Sequence, residues 1–320
     1  MRKVYPAVAL LALLVAACGC LNLRPLLVGE IEEVVVRESP RWFEWNRIAL
    51  VDVEGVIGSA NGLLFALAGT TAADVREKLE RAADDGRVRA IVLRIDSPGG
   101  TVSESDTIYR EVLRFRRETG KPVVACLMGT GTSGAYYVAL AADRIVATPA
   151  TVTGSVGVLI QFLNVEGLFD KLGLRSVVVK SGARKDMGSP TREMTEEERE
   201  MLGGVAREHF ERFLQAVRDG RPGVTEEDVG TISDARILTA DQALELHLVD
   251  QIGYLDEAIA QAQRLAGIKA ADVILYRPFP HYNANIYATA SAGSRNLPAG
   301  VTELLRGSGP AFLYLWWPGL

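Results

Sequence analysis

An α/β fold on a mostly parallel sheet is what this sequence predicts, and three observations predict it. Short apolar runs of strand length, at residues 47–55, 88–95, 121–128 and 143–147, are separated by amphipathic stretches of helix length. Glycines close several of the strands: Gly55, the pair Gly99-Gly100, and the series Gly129, Gly131 and Gly134. Strands alternating with helices of ~10–15 residues make right-handed βαβ units, and these bring parallel strands together.

In chain order, the first segment reads as an export signal. Arg2 and Lys3 precede an apolar stretch of 14 residues, 4–17, which is short for a span needing about 20. Val15-Ala16-Ala17-Cys18 resembles a bacterial lipobox, so Cys18 is the expected lipidation site and the new N-terminus. Retention of the segment as an anchor running through Leu23 is the alternative; both outcomes tie the chain to a membrane, outside the cytoplasm. Residues 18–45 read as a tether, 46–275 as the folded domain, and 276–320 as a tail serving packing or assembly.

Within the domain, residues 47–55 read as a strand. Thr71 caps a helix with Asp74 three positions on, Val75, Leu79, Ala82 and Ala83 form its buried face, and Gly86 ends it. A strand over 88–95 leads into Ser97-Pro98-Gly99-Gly100 and then a helix over about 104–118. The strand over 121–128 runs into Gly129-Thr130-Gly131-Thr132-Ser133-Gly134, which reads as a tight turn before a second apolar run, 135–142. Residues 176–180 read as a strand, Gly182 to Pro190 as a loop, and Thr195 with Glu198 as the capping box of a long helix to about Arg218. A last unit over 239–262 holds two helices around Leu248-Val249-Asp250.

Composition narrows the chemistry. A net charge of −5 without basic clusters gives no sign of nucleic-acid binding, and 48% apolar residues supply an ample core. Three cysteines make no disulfide framework; Cys126 sits inside an apolar strand as a small hydrophobe. Ser133 rides a strand-to-helix turn that exposes a hydroxyl and aims the following N–H groups at one spot, as a nucleophile requires. A serine nucleophile needs a base, and none of the three histidines, His209, His247 and His281, lies in a glycine-rich turn near it. A lysine base must be neutral; lysine ordinarily titrates near ~10.4, and burial costing about 4 kcal/mol would bring it towards neutrality. Lys171, Lys180 and Lys185 are the candidates, with Arg184 as a helping cation for the last.

Taken together, Ile95-Asp96-Ser97-Pro98-Gly99-Gly100, Ser133-Gly134-Ala135-Tyr136-Tyr137, Thr153-Gly154-Ser155-Val156-Gly157, Lys180-Ser181-Gly182, Lys185-Asp186, Gly188-Ser189-Pro190, Arg192-Glu193-Met194-Thr195 and Leu248-Val249-Asp250-Gln251-Ile252-Gly253 resemble, in order, the signal peptide peptidase A family of Ser/Lys serine peptidases. The resemblance implies a Clp protease/crotonase-like fold with repeated ββα units. It implies Ser133 as nucleophile, Lys185 as general base, Ser155 as the hydroxyl orienting the lysine amine, and no cofactor or metal. The expected oxyanion hole is the N–H of Gly134 with that of Gly100, Gly99 either contributing or only permitting the turn; Asp96 is expected to be structural. Peptides, leftover signal peptides among them, would bind extended beside the Ser97–Gly100 segment, with small and hydrophobic side chains near the cut. Short members of the family form rings, so a homo-oligomer, up to an octamer, is expected, with Lys185 able to serve the Ser133 of the next subunit. Departures from the family pattern are Gly131-Thr132 in place of two alanines, the loose match at Ser233-Asp234-Ala235-Arg236, and His247 at a usual glycine. Two other functions fit such a fold: a crotonase-like acyl-CoA enzyme, disfavoured by the export signal, and an inactive membrane-associated assembly partner, disfavoured by Ser133, Ser155 and Lys185 occurring together.

Overall fold

The computed structural model describes residues 31–40, 45–58, 69–278 and 312–315. At its centre β2 (Arg47–Glu54) and β3 (Val88–Ser97) pair in parallel, in register from Ile48 with Ala90 to Glu54 with Asp96. Outward from β3 come β5 (Val123–Thr132), β6 (Arg144–Ala147) and β10 (Gln251–Ile252), all parallel. Outward from β2 come β11 (Asp272–Pro278), parallel, and β1 (Ile31–Arg37), antiparallel at the edge. The mostly parallel α/β architecture expected from the sequence is the one observed.

The two-residue period of the strands divides the core into two layers. Val51, Val53, Ile91, Leu93 and Ile95 face α1 (Ala72–Asp84), α2 (Val102–Thr119) and α5 (Glu196–Gly220). Ile48, Leu50, Val92, Val124 and Cys126 face the side covered by α8 (Leu255–Leu265). Burial on both faces is why these strands read as near-continuous apolar runs. Asp52 and Arg94 interrupt them, yet both are buried and bond to each other at 2.6 Å. Cys126 is buried too, and that burial pushes its thiol up to about 12.

The helix starts follow the local chemistry. Thr71 accepts from the Asp74 N–H while the Asp74 carboxylate accepts from the Thr71 N–H, and Thr195 with Glu198 does the same for α5. The first of these helices stops at Asp85, one residue before Gly86. His247 sits at φ 58, the left-handed conformation expected at this helix end.

Four expectations are corrected. Residues 129–132 are the end of β5, not part of a turn, because Gly131 pairs with Ser97 on one side and Thr153 on the other. Ile31–Arg37, within the expected tether, is a sheet strand, since its valines cover the edge left open by β11. Residues 176–180 form no strand; no described segment pairs with them, and Val177 and Val179 are 86% and 97% exposed. The tail boundary at 276 falls inside β11, which continues to Pro278. No helix among the described residues is long and apolar enough to cross a membrane. The export signal, Cys18 and residues 59–68 lie outside the described residues.

Candidate active site

The end of β5 delivers Ser133 directly into α3 (Gly134–Ala139). At this junction Ser133 adopts φ 54, ψ −120, a region L-residues rarely enter. Its N–H donates to the Gly154 carbonyl at 2.8 Å, which locks the bend to β7 (Val152–Gly154), the parallel neighbour of β5. The next residue of that neighbour, Ser155, is also at positive φ, 51, and its N–H donates to the Arg236 carbonyl at 2.7 Å. Two hydroxyl-bearing residues thus leave adjacent parallel strands at the same level, Ser133 held by β7 and Ser155 by the Arg236 carbonyl. Strain of this kind costs of order 1–3 kcal/mol. Ser133→Gly is therefore expected to raise the melting temperature, by about 1 kcal/mol of stability after the entropy cost of glycine; an unchanged or lower value would mean that the serine is unstrained.

The second wall is the glycine pair. Gly99, at φ 98, gives its N–H to the Ser97 hydroxyl at 3.1 Å. Its positive φ makes the turn, and its N–H is engaged by that hydroxyl. Gly99 lies close to the nucleophile turn, since a Cβ on it would stand 2.7 Å from the Gly134 nitrogen. The Ile57 N–H donates to the Gly99 carbonyl and the Thr101 N–H to the Ile57 carbonyl, both at 2.8 Å. Backbone groups of successive strand residues alternate in direction, so the N–H and C=O of Gly100 point the other way. There they meet β12 (Phe312–Leu315), in which Tyr314 pairs with Gly100. β12 is the middle strand of a small antiparallel sheet between β4 (Gly99–Thr101) and β8 (Leu159–Ile160). The Tyr314 carbonyl is also 3.1 Å from where a Cβ on Gly134 would stand. Gly134 is the first residue of its helix, whose leading N–H groups have no partner within it. A peptide carbonyl, that of Tyr314, therefore lies close to both Gly100 and Gly134, the two residues expected to supply the oxyanion hole.

Asp96 is structural: its carboxylate accepts the Thr130 N–H at 2.8 Å and holds the end of β5. Lys185 lies apart. It is exposed in the turn region after residue 180, its N–H bonded to the Gly182 carbonyl, and among the described residues its amine joins neither an ion pair nor the Ser133 hydroxyl. The rival Lys180 is committed, donating to Asp186 at 2.6 Å and to the Ala183 carbonyl at 2.8 Å. Asp186 also receives Arg192, and these bonds, Arg192 first and then Lys180, hold its carboxyl well below the usual range. Arg192 further binds Glu198, which its guanidinium and the Thr195 N–H bring down to about 2. The loop carrying Lys185 is thus pinned at Asp186 and Arg192. Arg184, expected to assist the lysine, pairs instead with Glu197.

Sequence reasoning missed Tyr137, Phe213 and Tyr314, whose rings pack together beside the nucleophile turn. The signal was present as Tyr137 four residues after Ser133 and as the aromatic run at 312–317, taken for a packing strand. No group of His, Cys, Asp and Glu suited to a metal ion occurs among the described residues.

Residues 115–269 match the model of peptidase family S49. A putative signal peptide peptidase SppA of Enterococcus faecium is 35% identical over 235 residues, covering 72% of this chain and 67% of that protein. A putative protease of Synechocystis is 36% identical over 223 residues, 70% of this chain and 76% of its own. Protease 4 of Salmonella typhi is 34% identical over 232 residues, 72% of this chain, which spans only 35% of that longer protein. Among solved structures, a membrane-bound stomatin-specific protease aligns with a TM-score of 0.41 at 14% identity, over 68% of this chain and 84% of its own, too distant to bear on activity. On the strength of the sequence relatives, the chain belongs to peptidase family S49, the signal peptide peptidase A family of serine peptidases.

Proposed function

We propose that this chain is a membrane-anchored endopeptidase in which Ser133 is the nucleophile, Lys185 of a neighbouring copy is the general base, and Ser155 orients the lysine amine. The observation that carries the reading is Ser133 at the strained head of its helix, with Gly134 directly after it and Gly99, the neighbour of Gly100, packed against the Gly134 nitrogen. In the first step the lysine amine takes the Ser133 proton as the oxygen attacks the carbonyl carbon. Negative charge then develops on the carbonyl oxygen, where the two N–H groups meet it. The proton passes to the leaving amine, and a water activated by the same lysine releases the acyl group.

A base from another subunit is supported by the surface around Lys185. Leu163, Leu168, Leu172, Val177 and Val179 are all at least half exposed, and α4 (Glu166–Lys171) buries no residue. A monomer rarely leaves so many large apolar side chains of one stretch of chain in water. Covering it with a second copy would also remove solvent from the lysine amine, as a neutral base requires. Neither described histidine competes: His209 is on the long helix α5, and His247 caps a helix near Asp228. Extended peptides with apolar side chains, leftover signal peptides among them, fit the strand position between β4 and β8. An N-terminal lipid on Cys18 would hold the domain at the membrane where such peptides arise.

The test is hydrolysis of casein and of a synthetic signal peptide by the full chain and by Ser133→Ala. The variant is expected to lose at least ~10⁴-fold in kcat. Undiminished turnover by it would remove Ser133 from the reaction.

A further inference from the structure

The core-facing stripe of α2 is Val102, Ser105, Ile108, Val112 and Phe115, and Ser105 is its one polar member. It is fully buried, and its hydroxyl bonds to nothing among the described residues. A helical serine or threonine that buries its hydroxyl ordinarily donates back to the carbonyl four residues earlier. Thr107 does so to Ser103 and Thr119 to Phe115, both at 2.7 Å in this same helix. Ser105 makes no such bond to Thr101. Alanine would fill the stripe without leaving an oxygen stripped of water, so the hydroxyl lowers stability. A side chain that weakens the fold and bonds nothing within it calls for a partner from outside.

Its place says which partner. α2 packs on α3, and a Cβ on Gly134 would stand 2.4 Å from the Ser105 oxygen. The Tyr314 carbonyl oxygen lies 3.1 Å from that same point, so the hydroxyl and a peptide carbonyl approach Gly134 together. Gly134 directly follows the nucleophile and opens its helix, where the leading N–H groups are free. We propose that the Ser105 hydroxyl is a third donor to the peptide carbonyl that Ser133 attacks, beside the N–H groups of Gly134 and Gly100; this rests on the reading of Ser133 as nucleophile.

A hydroxyl with no bond to keep turns its proton freely towards an oxygen on which charge is building. A hydrogen bond to an ionised acceptor is roughly twice as strong as one to a neutral acceptor, so this contact tightens in the transition state and acts on kcat more than on substrate binding. The neutral Tyr314 carbonyl takes no bond from Ser105, as befits a donor set for the oxyanion and not for the ground-state oxygen. Ser105 keeps its proton throughout; the proton that moves is that of Ser133, which goes to the lysine amine. The same closeness accounts for glycine at 134, since any side chain there would drive into the Ser105 oxygen.

The experiment compares full-chain wild type, Ser105→Ala and Thr107→Ala, a control on the exposed side of the same helix. It measures hydrolysis of one synthetic signal peptide, inhibition by the peptide aldehyde of the same sequence, and thermal unfolding. The aldehyde forms a tetrahedral adduct on Ser133 that resembles the transition state. Ser105→Ala is expected to lose about 10²-fold in kcat with KM changed less than about twofold, and to bind the aldehyde at least about tenfold more weakly. It should also melt about 2 °C higher, because an unpaired buried oxygen is gone. Thr107→Ala should keep its kcat. Unchanged kcat in Ser105→Ala overturns the proposal. So does a loss of kcat with a lower melting temperature and unaltered aldehyde affinity, which marks a merely structural serine. In either case an inactive Ser133→Ala leaves the peptidase reading standing; turnover by Ser133→Ala overturns both.

Discussion

Co-expressed Ser133→Ala and Lys185→Ala protomers are expected to regain activity that each lacks alone. Each variant by itself should fall at least ~10⁴-fold, because a serine without its base and a base without its serine are equally idle. In a mixed assembly a working site arises wherever a protomer that retains Ser133 sits beside one that retains Lys185. Random assortment makes that about a quarter of the sites, if each site draws one serine and one lysine from neighbouring copies. The expectation comes from the separation of the two groups within one chain: Ser133 is 1% exposed in the nucleophile turn, while Lys185 is exposed on a loop pinned through Asp186 and Arg192. The activity of purified mixed assemblies on casein measures it. No recovery above the single variants would put serine and lysine in the same chain, and full activity of Lys185→Ala alone would dismiss the lysine. Lys180→Ala is the useful contrast, since that amine is bonded to Asp186 and Ala183 and should cost loop rigidity more than chemistry.

Gly100→Ala should cost about 10²–10³ in kcat, the usual loss of one oxyanion-hole donor. A Cβ at this position would collide with the Ile57 backbone, its distance to the Ile57 carbonyl carbon being 2.5 Å and to the nitrogen 2.6 Å. Backbone cannot rotate aside as a side chain can, so β4 must shift away from Ile57. The bonds that Ile57 makes with Gly99 and Thr101 loosen together, and the Gly100 N–H leaves the oxyanion hole. Stability should fall as well, by about 1–3 kcal/mol for two strained backbone bonds. Gly86→Ala is the matched control: nothing lies within 4 Å of its added carbon, and turnover should not change. Steady-state kinetics with thermal unfolding separates the two losses, and near-normal kcat in a folded Gly100→Ala protein would take Gly100 out of the oxyanion hole.

Much of this molecule was legible before any coordinates. Thr71 with Asp74 and Thr195 with Glu198 announced two helix starts, because a cap is a matter of four consecutive residues. Apolar runs of strand length separated by helices announced the parallel sheet, and the glycine-flanked turns singled out Ser133 and Gly100 as candidates. His247 marked its own left-handed cap. These signals are local, and local geometry carries them into the fold unchanged.

What the tertiary structure alone decided is which segments become partners. Residues 129–132 look like a turn until strands on both sides pair with Gly131. Three valines at 177–179 look like a strand, yet no sheet edge among the described residues meets them. Gly99 and Gly100 are equivalent on paper, and only the tertiary structure shows the Gly99 N–H bonded to the Ser97 hydroxyl while Gly100 pairs with Tyr314. Tyr314 reads as one aromatic in a tail, and only pairing with Gly100 across 214 residues seats it in the small sheet beside β4. Caps and periods depend on neighbours a few residues away; strand partnership depends on which distant backbone still has unpaired N–H and C=O groups, and that is known only once the whole sheet is assembled.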